Sequence, residues 1–230
     1  MKIGFIGLGN MATAIIGGLL REDTTLNSED GNATVITAAN IIGSAKTEAT
    51  RQKRAEQFGI AVTASNREVA EAADVLVLAV KPQFFPEVIA EIRDAVSENT
   101  LVISIAAGLT LERIAGLFDR NVTAMRLIRC MPNTPALGNA GCTAVVPGPG
   151  ATEADEALCL RLMESFGRAI VIPERLMDAA SATAGSSPAF VFMFIEALAD
   201  GGVQIGLPRD KAQAWAAQMV AGAAGMVLQT

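Results

Sequence analysis

The sequence contains no histidine and no tyrosine, and a single tryptophan among 230 residues. Those absences exclude whole classes of chemistry. Without histidine there is no His-activated serine or cysteine nucleophile and no imidazole metal ligand. Without tyrosine there is no phenolic proton donor of the Tyr/Lys kind. The three cysteines, Cys130, Cys142 and Cys159, show no C-x-x-C spacing and cannot all pair internally. Buried free thiols in a reducing compartment are expected, and no metal site. Apolar residues make up 51% of the chain, yet no apolar run approaches the ~18 residues of a membrane span. A net charge of −6 with no basic stripe argues against nucleic acid or anionic membrane as partners. The first strand pattern starts at Ile3, which leaves no room for a signal peptide, and a cytoplasmic protein is expected. Whatever chemistry occurs is then largely brought in by a bound cofactor.

What is present begins at the N-terminus. Lys2-Ile3-Gly4-Phe5-Ile6 is a short apolar run, and Ala12 to Leu20 is rich in Ala, Ile and Leu. Between them Gly7-Leu8-Gly9-Asn10-Met11-Ala12 forms a G-x-G-x-x-A turn, placed where a dinucleotide fold holds phosphate. Gly7 permits the tight turn, Gly9 leaves the backbone open to a pyrophosphate, and Ala12 is small enough for close helix–sheet packing. The N–H groups of the new helix, with roughly half a positive charge from the macrodipole, face the phosphates.

Further strand patterns recur between helical stretches. Arg21 to Asn32 reads as an exposed loop, 33–38 as a second strand, 46–58 as a surface helix and 60–62 as a third strand. Residues 74–80, apolar on both faces, read as a central parallel strand. Strands follow at 101–105, 124–128, 143–146 and 169–172, with a helix over 152–166. The alternation predicts an α/β fold, a Rossmann-type doubly wound and mainly parallel sheet over 1–172, with antiparallel strands near its end. Residues 173–230 carry only helical patterns and form a second, all-helical domain. There Ala189-Phe190-Val191-Phe192-Met193-Phe194-Ile195 is apolar all round. Such a helix needs cover on every side, which a short tail cannot provide alone, so a partner subunit is expected.

Four signatures together resemble the pyrroline-5-carboxylate reductase family. They are Ile6-Gly7-Leu8-Gly9-Asn10-Met11-Ala12, Leu78-Ala79-Val80-Lys81-Pro82-Gln83, Met131-Pro132-Asn133-Thr134-Pro135-Ala136, and Gly185-Ser186-Ser187-Pro188-Ala189 with Gly206-Leu207-Pro208-Arg209. The resemblance spans essentially the whole chain. It implies NAD(P)H-dependent reduction of 1-pyrroline-5-carboxylate to L-proline, with a helical domain that intertwines with a second subunit in a homodimer or higher oligomer. Members continue past the last helix into a Ser-Pro-Gly-Gly-(Thr/Ala)-Thr loop that binds the substrate carboxylate; this sequence ends at Thr230, before such a loop.

The resemblance also assigns roles. Leu8, Asn10 and Met11 line the pyrophosphate turn, Asn66 lies on the adenosine side, Val80, Lys81 and Pro82 meet the ribose and nicotinamide, and Ala107 follows the fifth strand. The second strand ends Ala38-Ala39-Asn40 without a carboxylate. A 2′-phosphate is therefore not repelled there, and NADPH is favoured with NADH possible. Lys46, Arg51, Lys53 and Arg54 are candidates to reach that phosphate. On the substrate side, Asn133-Thr134 between two prolines is a rigid connector by itself and, by resemblance, a wall of the nicotinamide pocket. Ser186 and Ser187 precede a helix N-terminus suited to a small carboxylate, and Ser187, where the family has glycine, can equally serve as the N-cap. Glu174 matches a position beside the ligands or is an ordinary first-turn glutamate.

Little acid–base machinery is needed for such a reaction, because a cyclic imine protonates readily and its iminium accepts hydride. The protein's task is alignment. Two alternatives remain: a dinucleotide-binding module without turnover, because the substrate loop is missing, and a β-hydroxyacid dehydrogenase relative. The second lacks its required lysine, since after Lys81 the next lysine is Lys211.

Overall fold

Strand β1 (Ile3–Ile6) is buried at all four positions and pairs in parallel with β4 (Ile41–Ser44) on one side and β6 (Val75–Leu78) on the other. A run without polar alternation is stable here because helices cover both faces. The computed structural model describes residues 1–21, 25–27 and 33–229. After β1 come α1 (Asn10–Leu19), β2 (Thr25–Asn27), β3 (Ala33–Val35), β4, α2 (Glu48–Phe58), β5 (Ala61–Thr63), α3 (Asn66–Ala72) and β6. Then follow α4 (Phe85–Ile92), β7 (Leu101–Ser104), α5 (Leu111–Leu117), β8 (Leu127–Met131), β9 (Gly141–Pro147), α6 (Glu153–Glu164) and β10 (Gly167–Val171). Eight strands form one sheet in the order β10-β9-β8-β7-β6-β1-β4-β5. Only the β8–β9 pairing is antiparallel. The expected doubly wound sheet, reversed near its end, is what forms.

One strand expectation is corrected. The stretch 33–38 does not supply the second strand of the main sheet. Its Ala33–Val35 pairs antiparallel with Thr25–Asn27 in a separate two-stranded ribbon, and Ile41–Ser44 lies beside β1. Gly43 suits Ile41–Ser44 to this place: a Cβ there would stand 2.6 Å from Leu8 Cδ2 and press on a packed side chain. The ribbon also replaces part of the loop expected over 21–32; residues 22–24 and 28–32 of it lie outside those described. The strand expected over 124–128 is shifted to Leu127–Met131, behind a short 3-10 turn at Val122–Ala124.

The chain divides into two compact units between Gly185 and Ser186. In the first, each face of the sheet has its own core. One gathers Ile15, Ile16, Cys130, Cys159 and Phe166, and the other Phe85, Ile89, Ile114 and Leu127. Each such fully buried side chain contributes roughly 1.5–3 kcal/mol. Residues 174–185, grouped by pattern with the helices, belong to the sheet unit. There α7 (Met177–Ala180) places Met177 in the second core, and a single π turn runs from Ser181 to Gly185. The second unit is a helical hairpin of α8 (Pro188–Gln204) and α9 (Arg209–Gln229), reversed at Gly206 with φ +106°. Ala199, Ala212 and Ala216 are its buried contacts, bordered by Ile195, Val203 and Leu207. Phe190 is 67% exposed and Phe194 54%. The all-apolar helix is thus bare within a single chain.

Candidate active site

The glycine turn sits where the carboxyl ends of β1 and β6 meet. Gly7 has φ +95°, and a Cβ there would lie 2.9 Å from both Ala79 O and Val80 Cγ1. Its N–H donates to Ser44 O at 3.0 Å, which ties the turn to β4. Gly9 is the N-cap of α1, and a Cβ on it would meet nothing within 4 Å. The space beside Gly9 is an open cleft, faced by backbone N–H groups at a helix N-terminus. Ala12 is buried against the sheet as its size requires. Asn10, the first residue of α1, is exposed at the cleft end of the helix.

The cleft has a volume of about 480 Å³ and is lined from four strand ends. Of the residues expected to bind a dinucleotide, it brings together Gly7, Gly9, Asn66, Val80 and Lys81. Reasoning from sequence missed Ser44, Ala45, Phe84, Glu87 and Glu91 on its walls, where Lys46, one of the basic candidates, also lies. A polar chain runs across it: Ser44 Oγ donates to Asn66 Oδ1 at 2.7 Å, and Asn66 Nδ2 donates to Glu91 Oε2 at 2.7 Å. That chain fixes which way the Asn66 amide points.

Several expected contacts fall elsewhere. Ala39 and Asn40 are corrected: they form a 3-10 turn before β4, at the amino end of the strands. Lys2 Nζ donates to Ala39 O, and Asn40 Nδ2 donates to Met1 O. The strand end facing the cleft is Ser44-Ala45-Lys46, and it too lacks a carboxylate. The signal was present in Thr47, the N-cap that accepts from Thr50 N–H, since reading back from that cap ends the strand at Ser44. Leu8 is only 2% exposed, with its side chain over Gly43, so only its backbone is near the turn. Met11 packs partly buried against the core of its own helix face. Pro82 opens the short 3-10 turn beside Lys81, and Ala107 lies exposed beyond β7. Among the basic candidates, Arg51 Nη1 donates to Ala45 O at 2.7 Å and to Lys46 O at 3.2 Å, and Arg54 Nε donates to Leu8 O at 3.3 Å. These two arginines brace the loops, and Lys46 is the one that lines the cleft.

The substrate candidates separate into two groups. Asn133 is only 7% exposed; its Oδ1 accepts from Cys142 N–H at 2.9 Å, and its Nδ2 donates to Ala184 O at 3.0 Å. Thr134, which opens the next 3-10 turn, is exposed. Glu174 Oε1 accepts from Leu111 N–H at 2.8 Å and from the buried Arg129 at 3.2 Å, which caps the N-terminus of α5. Ser186 and Ser187 lie in the helical unit. Ser187 has αR geometry and its side chain makes no capping bond to α8, so its expected role as a side-chain N-cap is not realised.

Cys130 Sγ and Cys159 Sγ are 3.5 Å apart in the core, and the Cys130 contact together with burial pushes the Cys159 thiol well above its ordinary pKa. A thiol so held is not a nucleophile. Among the described residues no group of three or more Cys, Asp or Glu side chains forms a metal cluster.

Comparison with known proteins gives the same outline. Residues 2–108 match a family profile described as NADP oxidoreductase coenzyme F420-dependent, and residues 174–230 match one described as pyrroline-5-carboxylate reductase dimerisation. The chain is 44% identical over 229 residues to pyrroline-5-carboxylate reductase of Escherichia coli, covering 100% of this chain and 80% of that protein. It is similar to the solved pyrroline-5-carboxylate reductase of Coxiella burnetii, with a TM-score of 0.86, 34% identity and coverage of 100% and 80%. It is similar also to that of Plasmodium falciparum with NADP bound, with a TM-score of 0.80, 28% identity and coverage of 100% and 79%.

Proposed function

The chain belongs to the pyrroline-5-carboxylate reductase family, and from that premise we infer that it reduces 1-pyrroline-5-carboxylate to L-proline with NAD(P)H. The observation that carries this reading is the open space beside Gly9 at the N-terminus of α1. A pyrophosphate fits that cradle, where a side chain would fill it. The bound nicotinamide supplies the hydride. The chain's own part is to hold and align, which is why a protein without histidine or tyrosine suffices.

The roles follow from position. Backbone N–H groups of the Leu8–Asn10 turn take the phosphates. Asn66, with its amide fixed by Ser44 and Glu91, takes the adenosine side, and Val80 and Lys81 flank the nicotinamide half. Lys46 sits at the end of β4, where an NAD-selective fold carries a carboxylate, and its ammonium suits a 2′-phosphate; this supports NADPH as the preferred form. Ser186 and Ser187, at the start of α8, are the substrate-side candidates of the helical unit.

The helical segment serves homo-oligomerisation. The stretch Glu174–Gln204 is long and apolar enough to cross a bilayer by length and composition alone, but the dimerisation match over 174–230 favours a second copy as its cover. Three free cysteines suit a reducing compartment such as the cytoplasm.

The test is an assay of purified protein with NADPH and 1-pyrroline-5-carboxylate, following loss of the reduced-nicotinamide absorbance, beside the Gly9→Val variant. Turnover is expected in the parent. The variant should fold, because nothing in the protein stands near that Cβ, yet fail to bind NADPH. NADPH binding without turnover in the parent would leave a dinucleotide-binding module instead.

A further inference from the structure

One wall of the cleft is a single helical face. Phe84, Val88 and Glu91 follow one another at intervals of four and three residues, so the 3-10 turn at Pro82–Phe84 and α4 present them on one side. All three line the cleft. Phe84 is 45% exposed, and a bare aromatic ring in a cleft suits a planar ligand. The face ends in the Glu91 carboxylate. In a doubly wound fold the strand that carries the ribose-binding position marks the adenosine half of the site, and here that strand is β4. Ser44 at its end is bonded to Asn66, and Asn66 to Glu91, which places Glu91 in that half.

The two hydrogen bonds also set a direction. The buried Ser44 hydroxyl donates to Asn66 Oδ1 at 2.7 Å, and Asn66 Nδ2 donates to Glu91 Oε2 at 2.7 Å. A flipped amide would set its oxygen against the carboxylate, so the observed orientation is the stable one. An amide nitrogen carries two hydrogens and a carboxylate two oxygens, and this bond uses one of each. The pair therefore shows a spare N–H beside a spare carboxylate oxygen. Adenine carries the complement, an amino donor next to a ring-nitrogen acceptor. Glu87 lines the same wall, but no hydrogen bond holds its side chain among the described residues, so Glu91 is the fixed acceptor.

We propose that Asn66 and Glu91 select the purine of the cofactor: Glu91 accepts from the adenine amino group, Asn66 donates to the ring nitrogen beside it, and Phe84 offers a face to the base. This rests on the reading of the cleft as a dinucleotide site. A 6-oxopurine would bring its oxygen against the Glu91 carboxylate and is rejected for that reason.

The test compares NADPH with its hypoxanthine analogue, which has oxygen in place of the amino group, by fluorescence titration of the parent, Glu91→Gln and Glu87→Gln. The parent should bind NADPH about tenfold or more tighter than the analogue. Glu91→Gln keeps an oxygen for Asn66 Nδ2 but offers an N–H to the base. It should weaken NADPH by about fivefold or more, bind the analogue at least as tightly as the parent does, and so bring the preference to about twofold or less. Damage to the fold alone would weaken both ligands together. If the glutamine variant fails to fold, Glu91→Ala removes the acceptor and should lower the preference in the same way. Equal binding of both ligands by the parent, an unchanged preference without Glu91, or a preference that is lost with Glu87→Gln instead would each overturn the proposal. A parent that binds neither dinucleotide would overturn the reading of the cleft itself. Binding without turnover would overturn only the reductase activity, and the preference would still decide the role of Glu91.

Discussion

The Cβ that Gly43 lacks would stand 2.6 Å from Cδ2 of Leu8, closer than real contacts allow. Leu8 is the residue between the two glycines of the phosphate turn, so the floor of that turn is set by a strand glycine. Gly43→Ala should force Leu8 upwards. The expected outcome is a loss of about 1–3 kcal/mol in stability, with NADPH binding at least tenfold weaker. Urea denaturation and fluorescence titration check the two parts, and normal NADPH affinity in a destabilised variant would separate floor from turn.

Lys46 is exposed, lines the cleft, and has its backbone carbonyl held by Arg51. Lys46→Glu puts a carboxylate where an NAD-selective fold has one. The NADPH dissociation constant should rise about tenfold or more, as expected for loss of a charge-assisted bond of about 1.5–3 kcal/mol. The NADH constant should change by less than about twofold. Equal effects on both dinucleotides would remove Lys46 from the 2′-phosphate.

Asp155, buried in the first turn of α6, accepts from Arg126 Nη2 at 2.5 Å and from Thr152 N–H at 2.9 Å. Burial alone would raise its carboxyl pKa, but the Arg126 and Thr152 hydrogen bonds outweigh it and hold the group below its ordinary value. A depressed folded-state pKa gives stability that is complete above the unfolded value of about 3.9 and lost as pH falls through the folded value. Asp155→Asn should cost about 3 kcal/mol at pH 7. That difference should shrink on acidification below about pH 4. Denaturation curves at neutral and acid pH test this, and a constant difference would contradict it.

Much of this was legible in the sequence, for physical reasons that differ by element. Val75–Leu78 is apolar without alternation, and only a central parallel strand tolerates that on both faces. Gly7 and Gly9 could be read individually, because each has one local task, a positive φ and an open backbone. The apolar pattern did not single out β4, although the Thr47 cap marks where it ends. Ala33–Val35 is equally strand-like, and the close fit of Gly43 under Leu8 that goes with the observed pairing is a contact between distant residues. Ser44 and Ala45 on the cleft wall were lost with that strand, whereas Lys46 stood among the basic candidates.

Asn133 and Glu174 teach the same point about the substrate side. Both stand in or next to recognisable motifs, which suggested contact with ligand. In the fold their polar atoms are engaged with Cys142, Ala184, Leu111 and Arg129. Such pairings depend on which strand lies beside which, and residue spacing carries no trace of it.

The exposed face of α8 gives a direct prediction for assembly. Phe192 is 60% exposed and Met193 65% in the single chain. Phe192→Glu should shift the protein towards monomer in sedimentation or light scattering, because a partner's apolar surface would have to bury an unpaired charge. A parent that is already monomeric, or a variant whose mass is unchanged, would show that α8 is covered in some other way.

Among the described residues the buried contacts of the α8–α9 hairpin are three alanines, bordered by the partly buried Ile195, Val203 and Leu207. Side chains that small bury little area, so most of the free energy that keeps the two helices folded must come from association, and mass action then governs it. The melting temperature of the helical part should rise with protein concentration, whereas that of the sheet, closed around two cores of its own, should not. Dilution is therefore a denaturant for the helical unit of this chain and not for the sheet unit.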